Sequence, residues 1–446
     1  SWHSDKPSAK VIRRLQILFP APCVMIYAVV SPTTKASGPM ELDFAKSGRS
    51  SVGVEWELQL VDKDSNDLRQ AADTIFEEAQ DSSELGPLVR REMLLNTVEV
   101  ASGAHQSVEA CMGDLRFAVG KLRPFTDALR IDLATAGSHP FARPAYQRVT
   151  DSQRYQELVE RTQYWGRQML LYGVHVHVGV EDREKVLPIV NAVVTRAGQL
   201  QALAASSPFW SGQDTGYASN RSMVFQQLPT AGLPPQFQAW HDLERYHWGM
   251  KKTGVIDSFD ELRWDVRPSP NLGTVEVRIF DACTNILEVE AMASLTHSLV
   301  EHYSRMYDAG EPLPQLPDWF ISENKWRSAR YGLDAKLIVD EQGNQENAVR
   351  TVENMLEELE PVAADLGCAS GLQKVQDILE VGPSYQRQRQ VAAADPTYAL
   401  DTVVELMRSE MVADRPLSLE EFMDTRRASP NNVGAGRRYW ENPYRH

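Results

Sequence analysis

The stretch "SVGVEWELQLV", residues 51–61, reads as a β-strand with two unlike faces. Side chains alternate across a strand, so Val52, Val54, Trp56, Leu58 and Leu60 share one face and Glu55, Glu57 and Gln59 the other. Taken alone, two neighbouring carboxylates describe the wet side of a half-buried strand. Three later strands repeat the pattern and change its meaning. In "NTVEVAS" (96–102) Glu99 points away from Val98 and Val100. In "GVHVHVGV" (173–180) His175 and His177 oppose Val174, Val176 and Val178. In "GTVEVRIFDA" (273–282) Glu276 and Arg278 oppose Val275, Val277 and Ile279. One sheet face then carries Glu55, Glu57, Glu99, His175, His177, Glu276 and Arg278. Glu92 joins them if the chain bends between 92 and 99.

Carboxylates crowded on one face repel each other, and in low dielectric they either take up protons or require cations. An oxygen-rich set with an imidazole suits Mg2+ or Mn2+, and zinc held by two histidines and a carboxylate is the alternative. Arg278 opposes a bare cation. It fits where the metal holds a polyphosphate and the guanidinium neutralises the transferring phosphoryl oxygens. Phosphoryl transfer is catalysed mainly by positioning and charge compensation, which this set supplies. No GxxxxGK[ST], GxGxxG or GxSxG stretch occurs, so a bound nucleotide must rest on the sheet itself.

The bulk composition, 42% apolar and 24% charged, is that of a soluble globular protein. The 446 residues carry a net charge of −15, which disfavours a sequence-independent nucleic-acid or anionic-membrane binder. Cys23, Cys111, Cys283 and Cys368 are scattered with no CxxC, so a reducing, cytoplasmic setting is expected. Residues 1–40 are expected as a peripheral N-terminal extension: "KVIRRLQILFPAPCVMIYAVVSP" mimics a signal peptide, but Pro20 and Pro22 break its apolar run and Met40 reads as a start. Interleaved strands and helices fill 50–310, and helix dominates beyond about 345. Single helices are expected over 107–135 (kinked or divided at Pro124), 151–171, 184–205 and 286–309, with a short strand at Ala134–Ala136. Polar positions alternate in strand after strand, which favours antiparallel pairing.

In order along the chain, "GVEWELQLVD", "NTVEVAS", "GVHVHVGV", "WDVRPSPNLGTVEVRIFDA" and "ENKWRSARYGLDA" resemble the type 2 glutamate–cysteine ligases, and among them the YbdK-type carboxylate–amine ligases. The likeness spans residues 41–415, expected as the catalytic domain, with 416–446 as a C-terminal tail. It implies an α+β, glutamine-synthetase-like fold: a curved antiparallel sheet forming a funnel, its outer face covered by helices. It also implies Mg2+ (or Mn2+) and ATP, which phosphorylates the side-chain carboxylate of glutamate or a similar acid. Cysteine or another amine then attacks, and ADP and phosphate leave. By resemblance, Glu55, Glu57, Glu92, Glu99, His175 and Glu276 are metal ligands, His177 lies near the phosphates and Arg278 steadies the γ-phosphoryl group. Arg221, Arg267, Arg327 and Arg330 are candidates for substrate carboxylate or phosphate, and a homodimer is the family-level expectation. Three other functions fit parts of the pattern. A guanidino kinase would need a reactive cysteine such as Cys283, a zinc hydrolase would use His175 and His177, and an acidic binding protein would do no chemistry.

Overall fold

The computed structural model describes residues 41–428; the expected N-terminal extension at 1–40 and the tail from 429 onward lie outside the described residues. The strands are β1 (Val52–Asp62), β2 (Val89–Arg91), β3 (Thr97–Ala101), β4 (Ile131–Ala134), β5 (Gly173–Gly179), β6 (Phe209–Trp210), β7 (Gln213–Asp214), β8 (Val266–Ser269), β9 (Thr274–Asp281), β10 (Lys336–Ile338) and β11 (Gln345–Asn347). Seven of them form one sheet in the order β2-β3-β1-β5-β9-β8, with β4 beside the far end of β1. Every pairing in it is antiparallel, as the alternating polarity predicts. Strands β6–β7 and β10–β11 are separate two-stranded ribbons.

The apolar stripes do what their spacing dictates. Val52, Val54, Trp56, Leu58, Val98, Val100, Val174, Val176, Val275 and Val277 are buried in one core with the helices Val108–Ala128, Arg183–Val194 and Ile286–Asp308. Helices therefore cover one face of the sheet, and the charged residues are left on the other. None of the described helices is long and apolar enough to cross a membrane.

Several boundaries differ from the sequence expectation. Helix Val108–Ala128 runs unbroken through Pro124. Both Pro124 and Gly120, whose carbonyl loses its partner, are exposed, so water can take the freed acceptor. The expected 184–205 helix is two, Arg183–Val194 and Ala197–Ala204. Thr195 Oγ1 bonds back to the Ala192 carbonyl at 2.7 Å there, competing with the helical ladder. The 151–171 helix breaks at Gln163, and the short strand lies at Ile131–Ala134 rather than at 134–136. Position 415 is not where packing stops. Leu417 and Phe422, on either side of the start of helix Leu419–Ala428, are buried with Val61, Tyr172, Val403 and Met407.

Candidate active site

Strand register assembles the charged face. Glu55 lies opposite His175, Glu57 opposite Glu99, His177 opposite Glu276, and Arg267 opposite Glu276. The chain turns back between β2 and β3, which delivers Glu92 to the same place. Three overlapping groups result: Glu55–His177–Glu276, Glu55–Glu99–His175 and Glu57–Glu92–Glu99, each with ligand atoms within 4.8 Å of one another. All of these residues line a cavity of about 540 Å3.

The electrostatics divide the cluster in two. Burial, then the charge of Glu92, pushes the Glu57 carboxyl up to about 8. Burial and the neighbouring carboxylates raise Glu99 well above its ordinary range. Glu92 is raised as well, chiefly by burial. Burial also disfavours the charge of Glu55, but hydrogen bonds from His175 and His177 outweigh it and hold that carboxyl well below the usual value. Glu276 is likewise held down against burial, by Arg278 and Arg267. Burial and Arg278 push His175 down to about 4, leaving a neutral imidazole able to ligate a cation.

This donor set fits divalent cations. Glu57, Glu92 and Glu99 are too close and too buried to ionise together unaided, and each group offers the oxygen or imidazole donors that Mg2+ or Mn2+ accept. A pH signature follows. Carboxyls raised by folding bind more protons in the folded chain than in the unfolded one between their unfolded and folded values. These carboxyls therefore cost the metal-free protein stability as pH rises from about 4.5 to about 8, with Glu57 contributing on the order of 5 kcal/mol. His175 and His139, both pushed down to about 4, act the opposite way up to about 6.5, so the net loss is read between about 6.5 and 8. Added Mg2+ reverses the loss, and more so at the alkaline end. Melting curves across this window, with chelator and with Mg2+, check it; equal shifts at every pH would refute it.

Arginines border the acidic groups. Arg278 pairs with Glu276 through Nη1, while its Nε is buried without a hydrogen-bond partner. A buried donor without a partner marks a place whose hydrogen bonding a bound group would complete. Arg267 Nε meets Glu276 at 2.7 Å, and its Nη1 is fixed by the carbonyls of Asp260 (2.9 Å) and Leu262 (2.8 Å). Arg221 also lines the cavity. It passes so close to Gly173 that a Cβ there would stand 2.5 Å from Arg221 Nη2. His177, expected beside the phosphates, stands within one potential ligand group, its Nδ1 2.9 Å from Thr274 Oγ1.

Two sequence candidates lie elsewhere. Arg327 bonds Glu323, Gln345 and the Lys336 carbonyl, tying its helix to the β10–β11 ribbon. Arg330 bonds the Gly216 carbonyl and lies over the rings of Tyr217 and Tyr331. Neither lines the cavity, since their helix, Asp318–Tyr331, packs on other helices. Cys283, the thiol a guanidino kinase would need, is buried on the core side, where its carbonyl accepts from Trp56 Nε1 at 3.0 Å. Other lining residues escaped the sequence. Arg90 Nη1 reaches Glu55 at 2.9 Å and Glu99 at 3.7 Å, and Arg154, Tyr155 and Arg263 close the rim. Asp281, buried beside Arg221 rather than on the cavity wall, escaped because the β5–β9 register slips. Val176 pairs with Val277 but Val174 with Phe280, so β9 carries one extra residue. The slip moves Asp281 to the polar face opposite Gly173. There it accepts from Ser206 N (2.9 Å), Ser207 Oγ (2.6 Å) and Ser219 Oγ (2.8 Å) and stands 3.9 Å from Arg221.

A sheet covered by helices on one face and lined with carboxylates and arginines on the other is the glutamine-synthetase-like architecture. The fold is shared with a glutamate–cysteine ligase from Francisella tularensis solved in complex with AMP (14% identity, TM-score 0.55, covering 86% of this chain and 98% of that one). A bifunctional glutathione synthetase from Pasteurella multocida shares it too (15% identity, TM-score 0.56, 81% and 52%). The model of glutamate-cysteine ligase family 2 (GCS2) matches residues 51–405, and the chain belongs to that family. It is thus an ATP-dependent ligase of the glutamate–cysteine type, forming a carbon–nitrogen bond. Relatives include the "Putative glutamate--cysteine ligase 2-1" of Mycolicibacterium smegmatis, 50% identical over 79% of this chain and 92% of its own. The "Putative glutamate--cysteine ligase 2" of Mycobacterium tuberculosis is 48% identical over 83% and 97%.

Proposed function

We propose that the chain joins the side-chain carboxylate of glutamate, or of a similar acid, to the amine of cysteine or of another amine through an acyl phosphate. The substrate carboxylate attacks the γ-phosphorus of ATP and the bond to the ADP oxygen breaks. The amine then attacks the acyl carbon, a proton leaves the nitrogen, and phosphate departs with the electrons of the C–O bond. The acyl phosphate is needed because a carboxylate repels nucleophiles and has no leaving group of its own.

Glu55, Glu57, Glu92, Glu99, His175 and Glu276 would hold Mg2+ or Mn2+, with His177 at the boundary between metal and phosphate. Bound there, the cations would screen the repulsion between carboxylate and triphosphate and polarise the phosphoryl oxygens. Arg278 offers its free Nε–H to the charge that develops on the transferring group. Arg267 keeps Glu276 and Arg278 aligned, and Arg221 faces a substrate carboxylate or phosphate. The observation that carries this proposal is the overlap of the three acidic groups, joined through Glu55 and Glu99, beside an arginine with an unused donor. The test is ADP release from Mg–ATP across a panel of acids and amines. Release that requires both an acid and an amine, and yields their amide, is the expected result. Equal release with neither present would overturn it.

A further inference from the structure

Helix Gln153–Thr162 lies at the cavity mouth, and none of its ten residues is buried. Arg154, Tyr155 and Leu158 nevertheless line the cavity. The helix is held lightly. Leu158 rests against the small cluster of Met169, Val224 and Leu228, and Arg161 Nη1 bonds the Val255 carbonyl at 2.7 Å. Its C-terminal end breaks at Gln163, a non-glycine residue at φ +49, a conformation that costs backbone energy and marks a hinge position.

Arg263 lines the same cavity. Its Nη1 bonds only the Glu261 carbonyl, and neither it nor Arg154 has a carboxylate within ion-pair distance among the described residues. Burial, then repulsion from Arg154, pushes the Arg263 guanidinium down to about 10. Two like charges lining one cavity, opposed only by carboxylates beyond ion-pair distance such as Glu261, repel in the empty protein and gain once an anion sits between them.

We propose that Arg154 and Arg263 clamp the carboxylate through which the acid substrate does not react, and that helix Gln153–Thr162 closes over the cavity when it binds. The pair would thereby select a dicarboxylic acid. This rests on the ligase reading above for the identity of the acid. A carboxylate is favoured over a phosphate because the triphosphate's charge is met on the sheet, by Arg278, Arg267 and the cation ligands. Two guanidinium forks at the rim match a planar carboxylate.

Limited proteolysis tests this without turnover. Trypsin can cut after Arg161 and Arg167 on the exposed segment, and L-glutamate at ten times its dissociation constant should slow those cuts about tenfold in the intact chain. 4-Aminobutyrate, which lacks the second carboxylate, should give no protection at the same concentration. Arg263→Ala and, separately, Arg154→Ala should abolish the protection by glutamate. Protection retained in both variants, or absent from the unaltered chain, would overturn the clamp. Equal protection by Mg–ADP alone would reassign the anion to phosphate and overturn the carboxylate assignment. Amide formation without glutamate protection would leave the ligase standing and remove the clamp; protection without amide formation would do the reverse.

Discussion

Replacing Glu57 by Gln leaves the chain folded, stabilises it in the absence of metal, and cuts turnover severely. In the metal-free protein this carboxyl titrates near 8, so at neutral pH it is already largely neutral, and an amide of the same shape replaces it without a new charge. The amide oxygen can still accept from the Gly173 N–H, which bonds Glu57 at 2.5 Å, and the amide N–H groups gain an acceptor in Glu92 or Glu99. Above pH 8 the variant therefore melts higher than the parent, because one enforced charge is gone from a crowded site. With Mg2+ the order reverses, since the variant has lost an anionic ligand. Catalysis should fall on the order of 10³-fold, the scale seen when one preorganised electrostatic partner is deleted. Calorimetric Mg2+ titration, melting curves with and without the ion, and kcat decide the case together. Unchanged turnover would remove Glu57 from the site.

How much of this was legible in the sequence follows from what strand alternation can and cannot encode. The core face, the antiparallel pairing and the convergence of Glu55, Glu57, Glu99, His175, His177, Glu276 and Arg278 all follow from a period of two, and all appear in the fold. Glu92 required a bend whose position no alternation reveals; the turn between β2 and β3 supplies it. Asp281 was hidden by the extra residue in β9, which reverses the parity of everything after it, so simple alternation puts it on the wrong face. Arg90, Arg154 and Arg263 have neighbours that carry no motif, and only the folded chain brings them to the rim. Arg327 and Arg330 are the converse. They sit in a distinctive stretch, yet packing spends them on carbonyls and rings away from the cavity. Motif membership alone therefore does not assign a site role, whereas shared parity on adjacent strands places side chains correctly until a bulge intervenes.

Arg278→Ala tests whether the arginine acts on the transition state or only on bound nucleotide. Truncation removes the Arg278 Nε–H, which is buried without a hydrogen-bond partner, together with the Nη1 bond to Glu276. Glu276 keeps its 2.7 Å contact with Arg267, so the carboxylate is not left bare and the sheet should hold. Charge on the γ-phosphoryl oxygens shifts as the bridging bond stretches, and a guanidinium aimed there gains more in the transition state than in the ground state. By analogy with arginines that serve phosphoryl transfer elsewhere, kcat should drop by roughly 10³ to 10⁵ while ATP affinity weakens by only about tenfold. Arg278→Lys should recover little. A single ammonium cannot satisfy Glu276 and also reach the phosphoryl oxygens, whereas a planar fork has donors enough for both. The measurement is kcat beside an independent ATP dissociation constant for each variant. Losses equal in affinity and in kcat/KM, with kcat preserved, would confine Arg278 to holding the nucleotide and leave the developing charge to the cations alone.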